Sequence, residues 1–428
     1  MTIYLDSLVG PTHHFGGHSF GNLASTRNMG LQSYPREAAL QGLIKMKKVC
    51  RLGGVQYVFP PQPRPDWSLL SDFGYPGLVT DVLLQRVQAE NPDLLCACFS
   101  SAFMWMANAA TVSEAGGVFH ITPANLRSQY HRCIETRYHQ SQLQSFFRGS
   151  CFVHHPPLQS FLSDEGAANL LFFSLRNAAV KKVVTVFVYG KQFQVVPKTQ
   201  FPPRQSLESG EVISRRHQMD PDTVLFVQQS TEAIDAGVFH NDVIAMGIGR
   251  LFIVHEKAYV NQNEFLERLQ ERTQSCLGVP LELHVVSESE LSLKEAVATY
   301  FFNSQLIQNQ DDSVALLLPG GCRHHSGVQS VLTRIRSQSQ FLSVIDYVDL
   351  DESLKNGGGP ACLRLACDLS EALQRTLSKR LLLTESKYEE LRSFVERYYP
   401  KELCLSDFSS KSFLEGISQV YRKLSALF

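Results

Sequence analysis

The chain has 428 residues, 44% of them hydrophobic and 19% charged, with a formal net charge of −1. That is the make-up of a globular protein with ample material for a core, and it excludes a disordered chain. The near-neutral balance gives no electrostatic grounds for nucleic acid or an anionic membrane surface as partner, and neither is expected.

Residues 3–9 alternate apolar and polar and read as a strand, followed by a turn-rich loop, Gly10-Pro-Thr-His-His-Phe-Gly-Gly-His18, which suits ligand contact or is a plain surface loop. Residues 35–52 form an amphipathic helix stopped by Gly53-Gly54, and 55–59 a strand. Residues 89–99 lead into another strand. The apolar stretch 102–112 is interrupted by Asn108, an amide that needs hydrogen-bond partners, as a strand cap or as a ligand contact. Residues 117–123 form a strand, and 125–130 lead to His131-Arg132, which can both reach an anion but often simply lie at a surface. In 161–169, Asp164 and Glu165 precede small residues; the plain reading is a helix start capped by Ser163. Residues 183–190 form a buried strand, and 198–205 an extended loop carrying Arg204. In the strand-like segment 237–245, His240 and Asp242 share one face within an apolar frame. Strands follow at 250–255, 281–286, 314–318 and 342–350. Helices follow at 262–272, 293–303, 327–338, 388–399 and 413–424. An Asn recurs where an apolar strand meets a small-residue turn, at Asn22, Asn108, Asn169, Asn241, Asn303 and Asn356, hinting at a radial arrangement of similar units.

The chain is organised around Asn356-Gly-Gly-Gly-Pro-Ala-Cys362. Three glycines allow positive φ or close approach, Pro360 stiffens the exit, and Cys362 sits where a tight loop becomes a strand. It is a buried cysteine behind a turn or a nucleophile held beside a cavity. A nucleophilic cysteine needs a base or cation and a group to orient that base. His240 is the best base, and Glu165 or Asp164 could orient it. A thiolate beside Glu165 and Asp242 would repel anions and attract a cation such as guanidinium.

The ten cysteines are irregularly spaced, and Cys96 and Cys98 lack the two-residue gap of a zinc knuckle, so they read as reduced cytosolic thiols. The N-terminus has neither the basic nor the apolar region of a signal peptide, and the most apolar runs, 170–173 and 183–189, are too short to span a bilayer. No composition break marks a domain boundary within 1–428. A cytoplasmic, single-domain protein is expected. A non-catalytic metal-binding protein using the pairs His13-His14, His154-His155 and His324-His325 is a remote alternative, since adjacent residues on a strand face opposite ways.

Several stretches together resemble a known family, the N-succinylarginine dihydrolases of bacterial arginine catabolism. They are Leu8-Val-Gly-Pro-Thr-His13, Ser19-Phe-Gly-Asn22 with Ala24-Ser25, Met104-Trp105 with Ala107-Asn-Ala-Ala-Thr111, His131-Arg132, Asp164-Glu-Gly-Ala-Ala-Asn169, 237–245, Phe302-Asn-Ser-Gln-Leu306 and 356–365. They run in order over the whole chain. The resemblance implies an α/β pentein, a five-fold pseudosymmetric propeller of ββαβ-type units. It implies Cys362 as nucleophile with His240 and Glu165 as catalytic partners. It further implies contacts to a small guanidino substrate from Gly16, Gly17, His18, Ser19, Phe20, Gly21, Asn22, Leu23, Ala24 and Ser25, and from Asn108, His131, Arg132, Arg204, Asp242 and Asn356. The implied reaction releases two ammonia and carbon dioxide and leaves N2-succinylornithine, with no cofactor or metal; a homodimer is expected on the same ground. A single-step deiminase or an amidinotransferase on the same fold is the alternative. Two departures stand out. Leu170-Leu171-Phe172-Phe173 follows Asn169 where polar residues are expected, and His18 stands where an apolar residue is expected.

Overall fold

The computed structural model describes residues 2–100, 105–176 and 182–428. Met104 of the quoted motif, residues 102–103 of the apolar stretch and 177–181 lie outside the described residues.

Among the described residues fifteen strands form five three-stranded sheets. In chain order they are β1 (Thr2–Ser7), β2 (Val55–Phe59), β3 (Ala110–Ala115), β4 (Val118–Pro123), β5 (Phe152–His154), β6 (Leu170–Ser174), β7 (Val183–Tyr189), β8 (Val224–Gln228), β9 (Ala245–Ile248), β10 (Leu251–His255), β11 (Glu282–Val286), β12 (Gln305–Gln308), β13 (Val314–Pro319), β14 (Leu342–Val348) and β15 (Arg364–Asp368). Four sheets take three consecutive strands each: the first pairs antiparallel with the second, a helix crosses over, and the third pairs parallel with the second. The crossover helices are Thr136–Phe146, Leu207–Arg216, Gln262–Leu277 and Ser326–Gln338. In the fifth sheet β15 pairs antiparallel with β1, and β1 pairs parallel with β2 across the helix Pro35–Arg51. The same ββαβ unit thus occurs five times, and the two ends of the chain share one unit, which closes the ring of the pentein fold.

The middle strands are buried almost throughout, β10 and β13 at every residue. A strand covered on both faces reads as a continuous apolar run, which is why these segments stood out in the sequence. The first strands lie inside: β6 packs on β9, β9 on β12, and β15 on β3. Leu170–Phe173 is therefore part of an inner strand, with the Phe173 ring edge-on to Phe252, centroids 5.4 Å apart. A layer of helices outside the ring, Glu385–Tyr398 against Pro35–Arg51, completes one core.

Two local expectations change. Residues 89–99 do not lead into a strand: they end the helix Asp81–Glu90 and form Pro92–Cys98, where Asn91 caps the start by accepting from Leu94 N and Pro92 takes the first helical position. The 237–245 segment is not a strand either: His240 is extended, and Asn241–Val243 is a single 3₁₀ turn.

Candidate active site

Five turns lead into the five inner strands. They are Met106–Asn108, Gly166–Asn169, Asn241–Val243, Phe301–Asn303 and residues 360–363. Hydrogen bonds join them in a closed ring. Asn108 Nδ2 donates to the Glu165 carbonyl at 2.7 Å. The Asn241 N–H donates to Asn169 Oδ1 at 2.9 Å, and Asn303 Nδ2 to the Asp242 carbonyl at 3.0 Å. The Cys362 N–H donates to Asn303 Oδ1 at 3.2 Å, and the Ala107 N–H to the Cys362 carbonyl at 3.2 Å. Four of the recurring asparagines are thus in these turns, three as stitches to the next turn. Asn241 uses its side chain within its own unit, accepting from Tyr259 OH at 2.7 Å. Asn22 and Asn356 lie outside the ring.

The turns bring the chemical groups to the centre. Cys362 is 1% exposed; its Sγ lies 3.4 Å from Asp242 Oδ2 and accepts from Asn303 Nδ2 at 3.1 Å. Burial and the nearby Asp242 carboxylate push the Cys362 thiol well up, so it donates to that carboxylate as S–H. Burial likewise raises Asp242. His240 Nε2 lies 2.9 Å from Glu165 Oε2, and the Ser128 hydroxyl donates to Glu165 Oε1. Burial alone would raise Glu165, but the His240 hydrogen bond, the His240 and Arg204 charges and Ser128 outweigh it and hold it at about 2. Asp164 does the opposite. Burial lifts it to about 6 although Oδ1 accepts from the Gly166 N–H and from Gln205 Nε2. Glu165, not Asp164, is therefore the carboxylate on His240. Ser163 caps no helix here: its carbonyl accepts from Ser206 and Ser209.

The glycines before Cys362 are there for close approach. Gly357 has φ +84°, and a Cβ on it would stand 2.1 Å from Asn22 Oδ1; one on Gly359 would stand 2.6 Å from Asn303 Oδ1. Asn22 donates to the Asn356 carbonyl and Asn356 to the His14 carbonyl, both at 2.9 Å, which stitches the 16–25 loop to the cysteine loop. Asn22 also caps the helix Leu23–Arg27 by accepting from Ser25 N.

Arg204 is buried 4.9 Å over the Phe239 ring and donates to Ser19 Oγ at 2.9 Å and to the Phe20 carbonyl. Arg132 lies 5.0 Å over Trp105, and two of its nitrogens are held by Glu135 at 2.9 and 3.0 Å. His131 is buried, which drives its pKa well down, so it serves as a neutral ring. Gly16, Gly17, His18, Ser19, Ser25, His131, Arg132 and Asn356 line one small cavity of about 50 Å³. The Phe20 and Leu23 side chains face solvent, whereas Gly21 and Ala24 contribute backbone. A separate cavity of about 910 Å³ is lined by none of these groups.

Two site residues were not singled out from sequence. Asn303 carried a signal, as a member of the asparagine series; Ser128 carried none. In two of the adjacent histidine pairs, His13-His14 and His154-His155, the two rings bond to different partners. His13 faces Glu352 at 3.2 Å while His14 faces the Thr12 carbonyl, and His154 and His155 bond to Phe147 and His120 respectively.

A family model described as succinylarginine dihydrolase matches residues 1–428. An N-succinylarginine dihydrolase of Chromohalobacter salexigens is 41% identical over 418 residues, covering 95% of this chain and 92% of its own. One from Serratia proteamaculans is 40% identical over 422 residues, covering 96% and 94%. Among solved structures, the product-bound N-terminal domain of ArgZ, an arginine dihydrolase from the ornithine-ammonia cycle in cyanobacteria, superposes with a TM-score of 0.54 at 15% identity. It covers 86% of this chain and 98% of that one, a likeness of fold.

Proposed function

The chain belongs to the succinylarginine dihydrolase family, and from that premise we propose that it hydrolyses N2-succinyl-L-arginine with two waters to N2-succinyl-L-ornithine, two ammonia and carbon dioxide, using Cys362 as nucleophile. The observation that carries this reading is the meeting of a thiol, two carboxylates and a carboxylate-held imidazole at the centre of the ring. Asp242 Oδ1 and Asn108 Oδ1 are buried acceptors without a partner among the described residues. A guanidinium brings donors for both, and its charge offsets the repulsion that keeps Cys362 protonated.

With substrate bound, the Cys362 proton passes to His240 and the thiolate attacks the guanidinium carbon. His240 then protonates the departing ammonia, leaving a thiouronium on Sγ. Neutral His240 next deprotonates a water that attacks the same carbon, and the thiolate leaves with the ureido product formed. Glu165 fixes the imidazole and stabilises its cation. A second cycle at the ureido carbon expels the second ammonia, and the resulting carbamate loses carbon dioxide. Arg204, with Ser19, His131 and the remaining nitrogen of Arg132, receives the succinyl and α-carboxylates. No helix among the described residues is long and apolar enough to cross a membrane.

The test is ammonia release and product mass with N2-succinylarginine, with free arginine and agmatine alongside. Two ammonia per N2-succinylornithine, with little turnover of the others, is the expected result. One ammonia and a stable ureido product would make the protein a deiminase and refute the second cycle. No turnover would refute the assignment.

A further inference from the structure

The proposed reaction uses little of the imidazole content of the loop after β1. His14 Nδ1 donates to the Thr12 carbonyl at 2.8 Å, which fixes the tautomer and leaves Nε2 with a free lone pair. His18 Nε2 is buried without a partner among the described residues. Cys96, on the helix Pro92–Cys98, is a buried free thiol. One ligand atom from each of His14, His18 and Cys96 lies within 4.8 Å of the other two.

Gly16 supplies an independent observation. Its φ is not in the left-handed region, so the backbone does not demand glycine, yet a Cβ there would stand 2.5 Å from His18 Nε2 and 3.2 Å from Cys96 Sγ. The absent Cβ is the room in which the imidazole and the thiol face one another. His18 also stands where the family resemblance leads one to expect an apolar residue. A buried ring nitrogen with no partner is costly unless something binds it.

We propose that His14, His18 and Cys96 form a binding site for a borderline-soft divalent metal ion of the zinc type, which fastens the loop carrying Ser19 to the helix Pro92–Cys98. Two imidazoles and a thiolate are the donor set such ions prefer. Bond lengths of about 2.0–2.1 Å to nitrogen and about 2.3 Å to sulfur put tetrahedral ligand atoms about 3.3–3.6 Å apart, so donors spread over at most 4.8 Å close by about 1 Å on binding. The fourth position goes to water. Spacing along the chain hid the site, because the ligands come from two segments about 80 residues apart. The ion takes no part in the Cys362 chemistry, and its ligands are the same whichever guanidino compound the enzyme consumes.

The test is a titration of the demetallated full-length protein with Co²⁺. The expected result is one Co²⁺ per chain, a thiolate-to-cobalt charge-transfer band, and displacement by Zn²⁺. Cys96→Ala keeps the turnover measured without added metal, loses the band and weakens Zn²⁺ binding by about 100-fold or more, a direct ligand counting for at least as much as an outer-shell partner. His18→Leu weakens binding to the same degree and leaves a second reading should Cys96→Ala fold poorly. Absence of saturable one-to-one binding, or a charge-transfer band that survives in Cys96→Ala, would overturn the proposal.

Discussion

Asp164 and Glu165 are neighbours with opposite electrostatics, and Asp164→Asn separates their roles. Among the described residues Asp164 Oδ1 has two donors, while Oδ2 is buried with none. Asparagine keeps the accepting oxygen and removes the charge. Because burial raises Asp164 from 3.8 to about 6, the folded state holds its proton more tightly than the unfolded chain. The stability this contributes is complete below pH 3.8 and is lost as pH rises through about 6. The gap corresponds to about 3 kcal/mol. The substituted amide does not titrate, so the stability of Asp164→Asn relative to the parent rises by about 3 kcal/mol between about pH 4 and about pH 7.5. At about 2.1 cal/mol/K per residue, 428 residues give an unfolding entropy of about 0.9 kcal/mol/K, hence about 3 °C in Tm. Paired thermal melts at several pH values measure this, and taking the difference cancels the other titrating groups. A Tm difference that is flat or falls with pH would refute the reasoning. Turnover of Asp164→Asn stays within a few-fold, because His240 bonds to Glu165 instead.

Glu165→Gln removes the charge that holds His240, so kcat falls by about 10²–10⁴. Its stability deficit is full above pH 4.5 and shrinks as pH falls toward about 2, where the parent's carboxylate protonates. Cys362→Ser lowers turnover by more than about 10³ while calorimetry still detects substrate binding; full activity would exclude the covalent route. Gly359→Ala drives a Cβ to 2.6 Å from Asn303 Oδ1 and breaks the bond from the Cys362 N–H. The loss of about 1–3 kcal/mol reads as a roughly 10–100-fold drop in kcat/KM. Arg204→Lys loses the Nη2 that donates to both Ser19 Oγ and the Phe20 carbonyl, and the guanidinium plane over Phe239, raising KM about ten-fold or more with a smaller effect on kcat.

The residues that do the proposed chemistry were legible in the sequence one at a time, each by a local oddity. Cys362 follows three glycines, His240 and Asp242 sit in an apolar frame, and Glu165 opens a run of small residues. The middle strands were legible because burial on both faces makes them uniformly apolar. The helix Pro92–Cys98 was misread because a short apolar run has no period to separate helix from strand, and the Asn91-Pro92 start signal was passed over. Which carboxylate holds His240 was not legible from the residues alone; only the family resemblance pointed to Glu165. Adjacent Asp164 and Glu165 differ only in where the turn points them, and Gly166 at φ +69°, packed on the Asn108 backbone, fixes that.

The asparagine rhythm shows why the site lies where it does. A ring of equivalent units brings the same turn of each unit to the axis, so five backbone turns must pack there with their amides and carbonyls buried. A short side chain with both a donor and an acceptor answers that need at every junction, and Asn108, Asn169 and Asn303 serve four of the five. The fifth, Ala107 to Cys362, is backbone to backbone, because Cys362 stands where its own turn would otherwise supply a stitch. Repetition fixes the turns, and the departures from it, a thiol in one turn and a charged or imidazole group beside two others, are where one repeated scaffold acquires a single reactive centre.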